Sequence, residues 1–130
     1  MSLIPLTDAS ATPRVVIVDA DRRVQQSLAE VLRITGEVEV VGRAGDVRAA
    51  LELVERERPS VLVLDPRLPD VSAGTALVNG VLRAWPRTRI VLTGWNEERE
   101  QPTLVANCDA YVSKSATPEE FVAAVVDACC

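Results

Sequence analysis

Short apolar runs alternating with helical patterns constrain this chain more than any other feature. Val15-Val16-Ile17-Val18, Val61-Leu62-Val63-Leu64 and Ile90-Val91-Leu92 are continuous and mostly β-branched, as strands covered on both faces must be. Val38-Glu39-Val40-Val41 and the short Tyr111-Val112 complete a set of five. Between them the apolar spacing turns helical. After Asp21, Val24, Leu28, Val31 and Leu32 share one face, and Gly36 stands where a C-terminal cap is needed. Val47, Ala50, Leu51 and Val54 form a second stripe, opened by Asp46 as N-cap and closed before Pro59. A third helix is expected from Ala73 to Trp85, ending before Pro86. Pro102 falls inside the fourth and should shorten or kink it, and Asn107 offers a left-handed exit. The last has a complete start signal: Thr117 as N-cap, Pro118 at the first helical position and Glu120 closing a capping box. Phe121, Val122, Val125 and Ala128 give it a core face.

Five βα units of this kind predict an α/β fold, a parallel sheet with helices on both faces joined by right-handed crossovers. The 130 residues suit one domain, preceded by a polar, Pro-containing tail over residues 1–13 that is expected to be flexible. Because 48% of residues are hydrophobic but only 3% aromatic, the core must be built from Val, Leu and Ala. A net charge of −5 without a Lys/Arg block makes direct nucleic-acid binding a poor expectation. No apolar run approaches a membrane span, and the first residues lack the order of a signal peptide. Cys108, Cys129 and Cys130 do not make a disulfide framework, which suits a reducing cytoplasm; with no His and no CxxC pair, zinc is disfavoured.

In open parallel sheets, ligands bind beyond the carboxyl ends of the strands. The first strand delivers Asp19 and then Asp21, the third Asp65, the fourth Thr93, and the fifth leads to Lys114. Three carboxylates brought to one rim repel one another unless a cation joins them, and hard oxygen ligands favour Mg²⁺. An aspartate held there can attack phosphorus and form an acyl phosphate, with a hydroxyl and an ammonium to receive the phosphoryl oxygens. Each of these residues also has a plainer reading. Asp65 before Pro66 is an ordinary turn starter, Thr93 an ordinary β-branched strand residue, and Lys114 a solvated lysine.

The pieces Val16-Ile17-Val18-Asp19, Val63-Leu64-Asp65 with Leu68-Pro69, Val91-Leu92-Thr93-Gly94 and Tyr111-Val112-Ser113-Lys114 occur in order, each at a strand end. In this the sequence resembles the receiver domains of two-component response regulators, over Arg14 to Ala128, so that residues 14–130 form the expected receiver domain. Ser115 after the lysine is similar to the branch that precedes helix-turn-helix DNA-binding effectors. The resemblance implies a flavodoxin-like sheet in order 2-1-3-4-5 and Asp65 as phosphoacceptor. It implies a Mg²⁺ pocket of Asp19, Asp65 and the Arg67 backbone carbonyl, with Asp21 as a further candidate. It makes Thr93 and Tyr111 the switch pair and Lys114 the phosphate contact. A sensor histidine kinase would be the donor, a homodimer would form through the last two strand–helix units, and any DNA would be reached only through an effector absent from this chain.

One departure stands out. The family usually has two adjacent acidic residues after the first strand, and here the second is Ala20. Asp21 either substitutes at the metal or simply caps the first helix. A degenerate receiver, acting as a phosphorylation-independent interaction module, is therefore the alternative. Arg67 and Trp95 are expected to overhang the site and limit water access, unless Trp95 merely covers apolar surface. A flavodoxin-like enzyme or nucleotide binder fits poorly: no Gly-rich loop follows the first strand, where Asp19-Ala20-Asp21 would repel an anion, and a His-based triad is impossible.

Overall fold

The computed structural model describes residues 12–95 and 102–129. Five strands, β1 (Arg14–Val18), β2 (Glu39–Ala44), β3 (Val61–Leu64), β4 (Arg89–Gly94) and β5 (Ala110–Ser113), form one sheet in the order β2-β1-β3-β4-β5, and every neighbouring pair is parallel. Helices α1 (Arg22–Thr35), α2 (Val47–Glu57), α3 (Val71–Ala84), α4 (Pro102–Ala106) and α5 (Pro118–Ala128) connect and cover them. The order reverses between β1 and β3, so the chain ends following those two strands open into one crevice. This is the α/β, flavodoxin-like arrangement expected from the sequence.

The core is split by the sheet. Val16, Val18, Leu62, Leu64, Ile90 and Leu92 point to one side and pack with α2, α3 and Leu104 of α4. Val15, Ile17, Val61, Val63, Val91 and Val112 point to the other and pack with α1 and α5. Alternate residues of each buried strand thus serve opposite faces, which is why these strands read as unbroken apolar runs.

Caps mark the helices as the sequence predicts in most places. The Asp46 carboxylate accepts from the Ala49 N–H, Gly36 adopts φ 70° after α1, and Thr117 and Glu120 exchange both capping-box bonds. Such a side-chain cap is worth about 1 kcal/mol. Several boundaries differ. α3 begins at Val71, because Asp70 rather than a later residue caps it by accepting from the Ala73 N–H, and it ends at Ala84. α2 closes before Pro59 as expected, but on Arg58 at φ 46°, the one non-glycine residue with positive φ among those described. β2 continues past Val41 to Ala44, because Val15 pairs with Val40 but Val16 with Gly42, leaving Val41 as an extra residue in a bulge.

The described α4 begins at Pro102, where the missing N–H costs nothing, and runs for only five residues, in keeping with the shortening expected of that proline. Asn107 follows without a left-handed conformation, its N–H reaching back to the Thr103 and Leu104 carbonyls. On α1 the fully buried residues are Gln25, Ala29 and Leu32, with Leu28 and Val31 only partly covered, so the helix is rolled from the expected stripe. Pro13, assigned to the tail, already accepts a hydrogen bond from the Glu39 N–H. Residues 1–11 of the expected tail, residues 96–101 before α4 and Cys130 lie outside the described residues.

Candidate functional site

Three strand ends and one loop meet at the crevice. The Asp19 N–H donates to the Ala44 carbonyl and the Asp65 N–H to the Val18 carbonyl, so each aspartate leaves its strand with the ladder still in register. Both are buried, at 3% and 6% exposure. The Lys114 N–H donates to the Gly94 carbonyl, which carries the β5 end to the β4 end. Its side chain then reaches inward, and Nζ lies 2.6 Å from Asp19 Oδ2 and 2.5 Å from Asp65 Oδ2.

That ammonium bridges two carboxylates in a place with little water. Burial works against its charge, but the hydrogen bonds to Asp19 and Asp65 and their negative charge outweigh it and raise the Lys114 pKa above its ordinary value. The remaining carboxylate oxygens are also engaged. Asp65 Oδ1 accepts from the Arg67 N–H at 3.0 Å and stands 3.6 Å from the Arg67 guanidinium. Asp19 Oδ1 accepts from the Asp21 N–H at 2.8 Å. Both aspartates are therefore oriented by the backbone two residues on, an Asx-type turn that fixes where the free edge of each carboxylate points.

Thr93, on β4 opposite Val112, is 2% exposed, and its hydroxyl has no hydrogen-bond partner among the described residues. A buried hydroxyl with no protein partner keeps its donor free for another polar group. A small cavity of about 170 Å³ reaches both Thr93 and Lys114 from the α1 and α5 side. Tyr111, half-buried, pairs with Leu92 one residue before Thr93 and packs against the apolar cluster on the α3 face. Trp95 is 67% exposed, and its ring centroid is 5.7 Å from the Lys114 ammonium. The expected overhang is thus a ring beside the lysine, an arrangement that favours the cation.

The expected convergence of three carboxylates becomes one of two. Asp21 turns outward and spends its Oδ1 on the Arg23 N–H, one of the orphan donors in the first turn of α1. Among the described residues no group of three His, Cys, Asp or Glu side chains is placed to hold a metal ion. The two buried aspartates still suit Mg²⁺, which is commonly held by one or two carboxylates with water completing the shell.

Two residues that sequence reasoning passed over shape this crevice. Gln25, buried in α1, donates through Nε2 to the Asp19 carbonyl at 2.6 Å and the Ala44 carbonyl at 3.1 Å, tying the β1 and β2 ends together. Its signal was its spacing: it shares a face with Ala29 and Leu32. Gly74 lies where the first turn of α3 presses on the loop after β3. A Cβ there would stand 1.7 Å from the Pro66 carbonyl oxygen. Nothing in the local pattern marks that glycine, because the contact is tertiary.

Comparison with known proteins agrees with this geometry. The family profile described as response regulator receiver domain matches residues 15–126. The DNA-binding transcriptional activator DevR/DosR of Mycobacterium tuberculosis is 35% identical over 116 residues, which cover 88% of this chain and 53% of that protein. The chain therefore spans about half the length of that relative. Among solved structures, the signal receiver domain of NarL from Mycobacterium tuberculosis is 30% identical with a TM-score of 0.74, covering 91% of this chain and 96% of that one. The receiver domain of AraT from Geobacillus stearothermophilus shares the fold, with a TM-score of 0.80, 24% identity and coverage of 92% and 94%.

Proposed function

The chain belongs to the receiver domain family of response regulators, and from that premise we propose that Asp65 is its phosphoacceptor. The observation that carries the reading is the buried pair Asp19 and Asp65 closing on one ammonium, that of Lys114, beside the partnerless hydroxyl of Thr93. Asp65 offers a carboxylate oxygen to the phosphorus of a phosphohistidine on a sensor kinase. The new P–O bond forms as the P–N bond breaks, and its electron pair returns to the imidazole nitrogen. The three phosphoryl oxygens then need donors. Lys114 moves from Asp65 to one of them, and Thr93 supplies its hydroxyl to another. Mg²⁺ would be held by Asp19, Asp65 and the Arg67 carbonyl, and it supplies charge neutralisation for the incoming phosphoryl group.

Drawing Thr93 toward the phosphoryl group vacates space beside β4 and β5, into which Tyr111 turns. The surface of the last two strand–helix units then changes, and its population shift is the signal. Transcription control through an effector domain outside these residues is the output in keeping with the DNA-binding relative. No helix among the described residues is long and apolar enough to cross a membrane; a cytoplasmic location follows from the kinase partnership. The only chemistry asked of the domain is on itself, its own phosphorylation and dephosphorylation.

Mass spectrometry after incubation with acetyl phosphate and Mg²⁺ tests the assignment. Wild type should gain the mass of one phosphoryl group and Asp65→Asn none; a gain in the variant equal to that of wild type refutes it.

A second reading is favoured by Ala20 and by the capping role of Asp21, which leave the pocket one carboxylate short. In it the pocket is silent and the fold is an interaction module. Beryllofluoride with Mg²⁺ separates the two: a change in Trp95 fluorescence supports the switch, and no change at saturating reagent supports the silent module.

A further inference from the structure

Asp19 is the one carboxylate that the end of β1 gives to the crevice, because Ala20 follows it and Asp21 is spent on capping α1. Its placement therefore depends on whatever holds the Asp19 backbone. The strand has ended at Val18, and two bonds hold the chain from there. The Asp19 N–H donates to the Ala44 carbonyl at 3.1 Å, and the Asp19 carbonyl accepts from Gln25 Nε2 at 2.6 Å. Gln25 Nε2 also donates to the same Ala44 carbonyl, at 3.1 Å. The peptide groups on both sides of the Asp19 Cα are thus tied to one carbonyl at the end of β2.

The surroundings are built for this contact. Gln25 is buried, so its carboxamide must find partners within the protein. Two carbonyl oxygens can be met only by a donor, which fixes the carboxamide with its nitrogen toward them. The Gln25 N–H donates to the Asp21 carbonyl at 3.1 Å, so the side chain springs from a helical turn already joined to the same loop. Gly45 leaves the neighbouring space clear. A Cβ added there would stand 3.3 Å from Gln25 Nε2 and 3.6 Å from the Asp19 carbonyl oxygen.

We propose that Gln25 is the positioning residue of Asp19. Rotation about the Asp19 N–Cα bond swings its Cβ and carboxylate, and a grip on the Asp19 carbonyl stops that rotation. The grip therefore sets the place of a carboxylate whose Oδ1 meets the Asp21 N–H and whose Oδ2 meets Lys114. Groups that orient a metal ligand matter to metal affinity nearly as much as the ligand does. In this pocket they act on a single β1-end carboxylate, with no second one to compensate for a misplaced first.

The test has an amide arm and a metal arm, and only the second rests on the reading of Asp19 and Asp65 as a Mg²⁺ pocket. Gln25→Met keeps the length and approximate volume of the side chain and removes both donors. In hydrogen-exchange NMR without metal, the Asp21 amide reports the Asp19 carboxylate directly. It should exchange about tenfold faster in the variant, the net worth of one hydrogen bond. Mn²⁺ in place of Mg²⁺, counted free by electron paramagnetic resonance, should be held about tenfold more weakly. Leu32→Val thins the buried side of the same helix without touching either carbonyl. It should match wild type in both readings, even where urea unfolding shows it less stable. An Asp21 amide that exchanges alike in wild type and Gln25→Met overturns the proposal, and so does equal Mn²⁺ affinity in the two. A Leu32→Val chain that shifts as far as Gln25→Met also overturns it, since lost packing would then explain both. Wild type that binds no Mn²⁺ refutes the Mg²⁺ pocket instead, and the amide arm alone decides on Gln25.

Discussion

Two glycines on one helix make opposite demands, and replacing each by alanine measures how tightly the crevice is built. At Gly74 a Cβ would stand 1.7 Å from the Pro66 carbonyl oxygen, 2.4 Å from its carbon and 2.5 Å from Cα. An unstrained carbon–oxygen contact needs about 3.3 Å. The first turn of α3 and the loop after Asp65 must therefore part by about 1.6 Å, and both sides of the contact are backbone. Overpacking relieved by backbone movement costs about 1–3 kcal/mol, and the upper end is expected because no side chain can swing clear. Pro66 is bonded to Asp65, so the displacement is delivered to the carboxylate held by Arg67 and Lys114. A misplacement on the order of 1 Å at a reacting group can cost ~100-fold in rate.

At Gly80, two turns further along α3, an added Cβ meets nothing within 4 Å. There the methyl removes backbone freedom from the unfolded chain and improves helix propensity, for a gain of about 0.5–1 kcal/mol. Urea unfolding should thus show Gly74→Ala less stable than wild type and Gly80→Ala more stable. Phosphorylation by acetyl phosphate, followed by mass spectrometry, should be slowed strongly in the first and unchanged in the second. If Gly74→Ala unfolds and reacts like wild type, the close approach of α3 to the Asp65 loop does not shape the site.

Three other perturbations have worked signs. Lys114→Met leaves two buried carboxylates facing each other, and removing one member of a buried charge cluster costs about 3 kcal/mol. Adding Asp65→Asn should return much of that in urea unfolding without Mg²⁺, and additive losses would contradict the cluster. Burial, helped by the charge of Asp109, pushes the Cys108 thiol up to about 12 from 9.0. Its thiolate is then about a thousandfold scarcer than in the unfolded chain at neutral pH, so alkylation by iodoacetamide, read by peptide mass spectrometry, should slow accordingly. The Glu120 carboxylate is held below its ordinary 4.5, first by the Thr117 N–H and then by the Thr117 side chain. A depressed acid stabilises the fold above that value and loses its contribution as pH falls through its folded value. The stability gap between wild type and Glu120→Ala should therefore be open at neutral pH and close below 4.5.

The parallel sheet, the two-sided core and the gathering of Asp19, Asp65 and Lys114 were legible because they follow from periodicity and from residues at strand ends, while the strand order came from the family resemblance. The parts that escaped reading depend on through-space geometry. Asp21 caps α1 through Oδ1, a partner only two residues away that spacing alone does not single out. The roll of α1 that buries Gln25 in place of Val24 reflects two carbonyls, of Asp19 and Ala44, that need a donor. Gly74 was invisible for the same kind of reason, since its partner sits eight residues back.

The sheet also acts as a partition. Side chains that contact α2 and α3 belong to one apolar cluster and those that contact α1 and α5 to another, with no residue in common. Volume gained or lost by substitution on one side is therefore absorbed among that side's own neighbours. The two halves of the interior can drift separately over evolutionary time, and a lineage can rebuild its α1–α5 exterior to suit a new association without renegotiating the packing behind Tyr111.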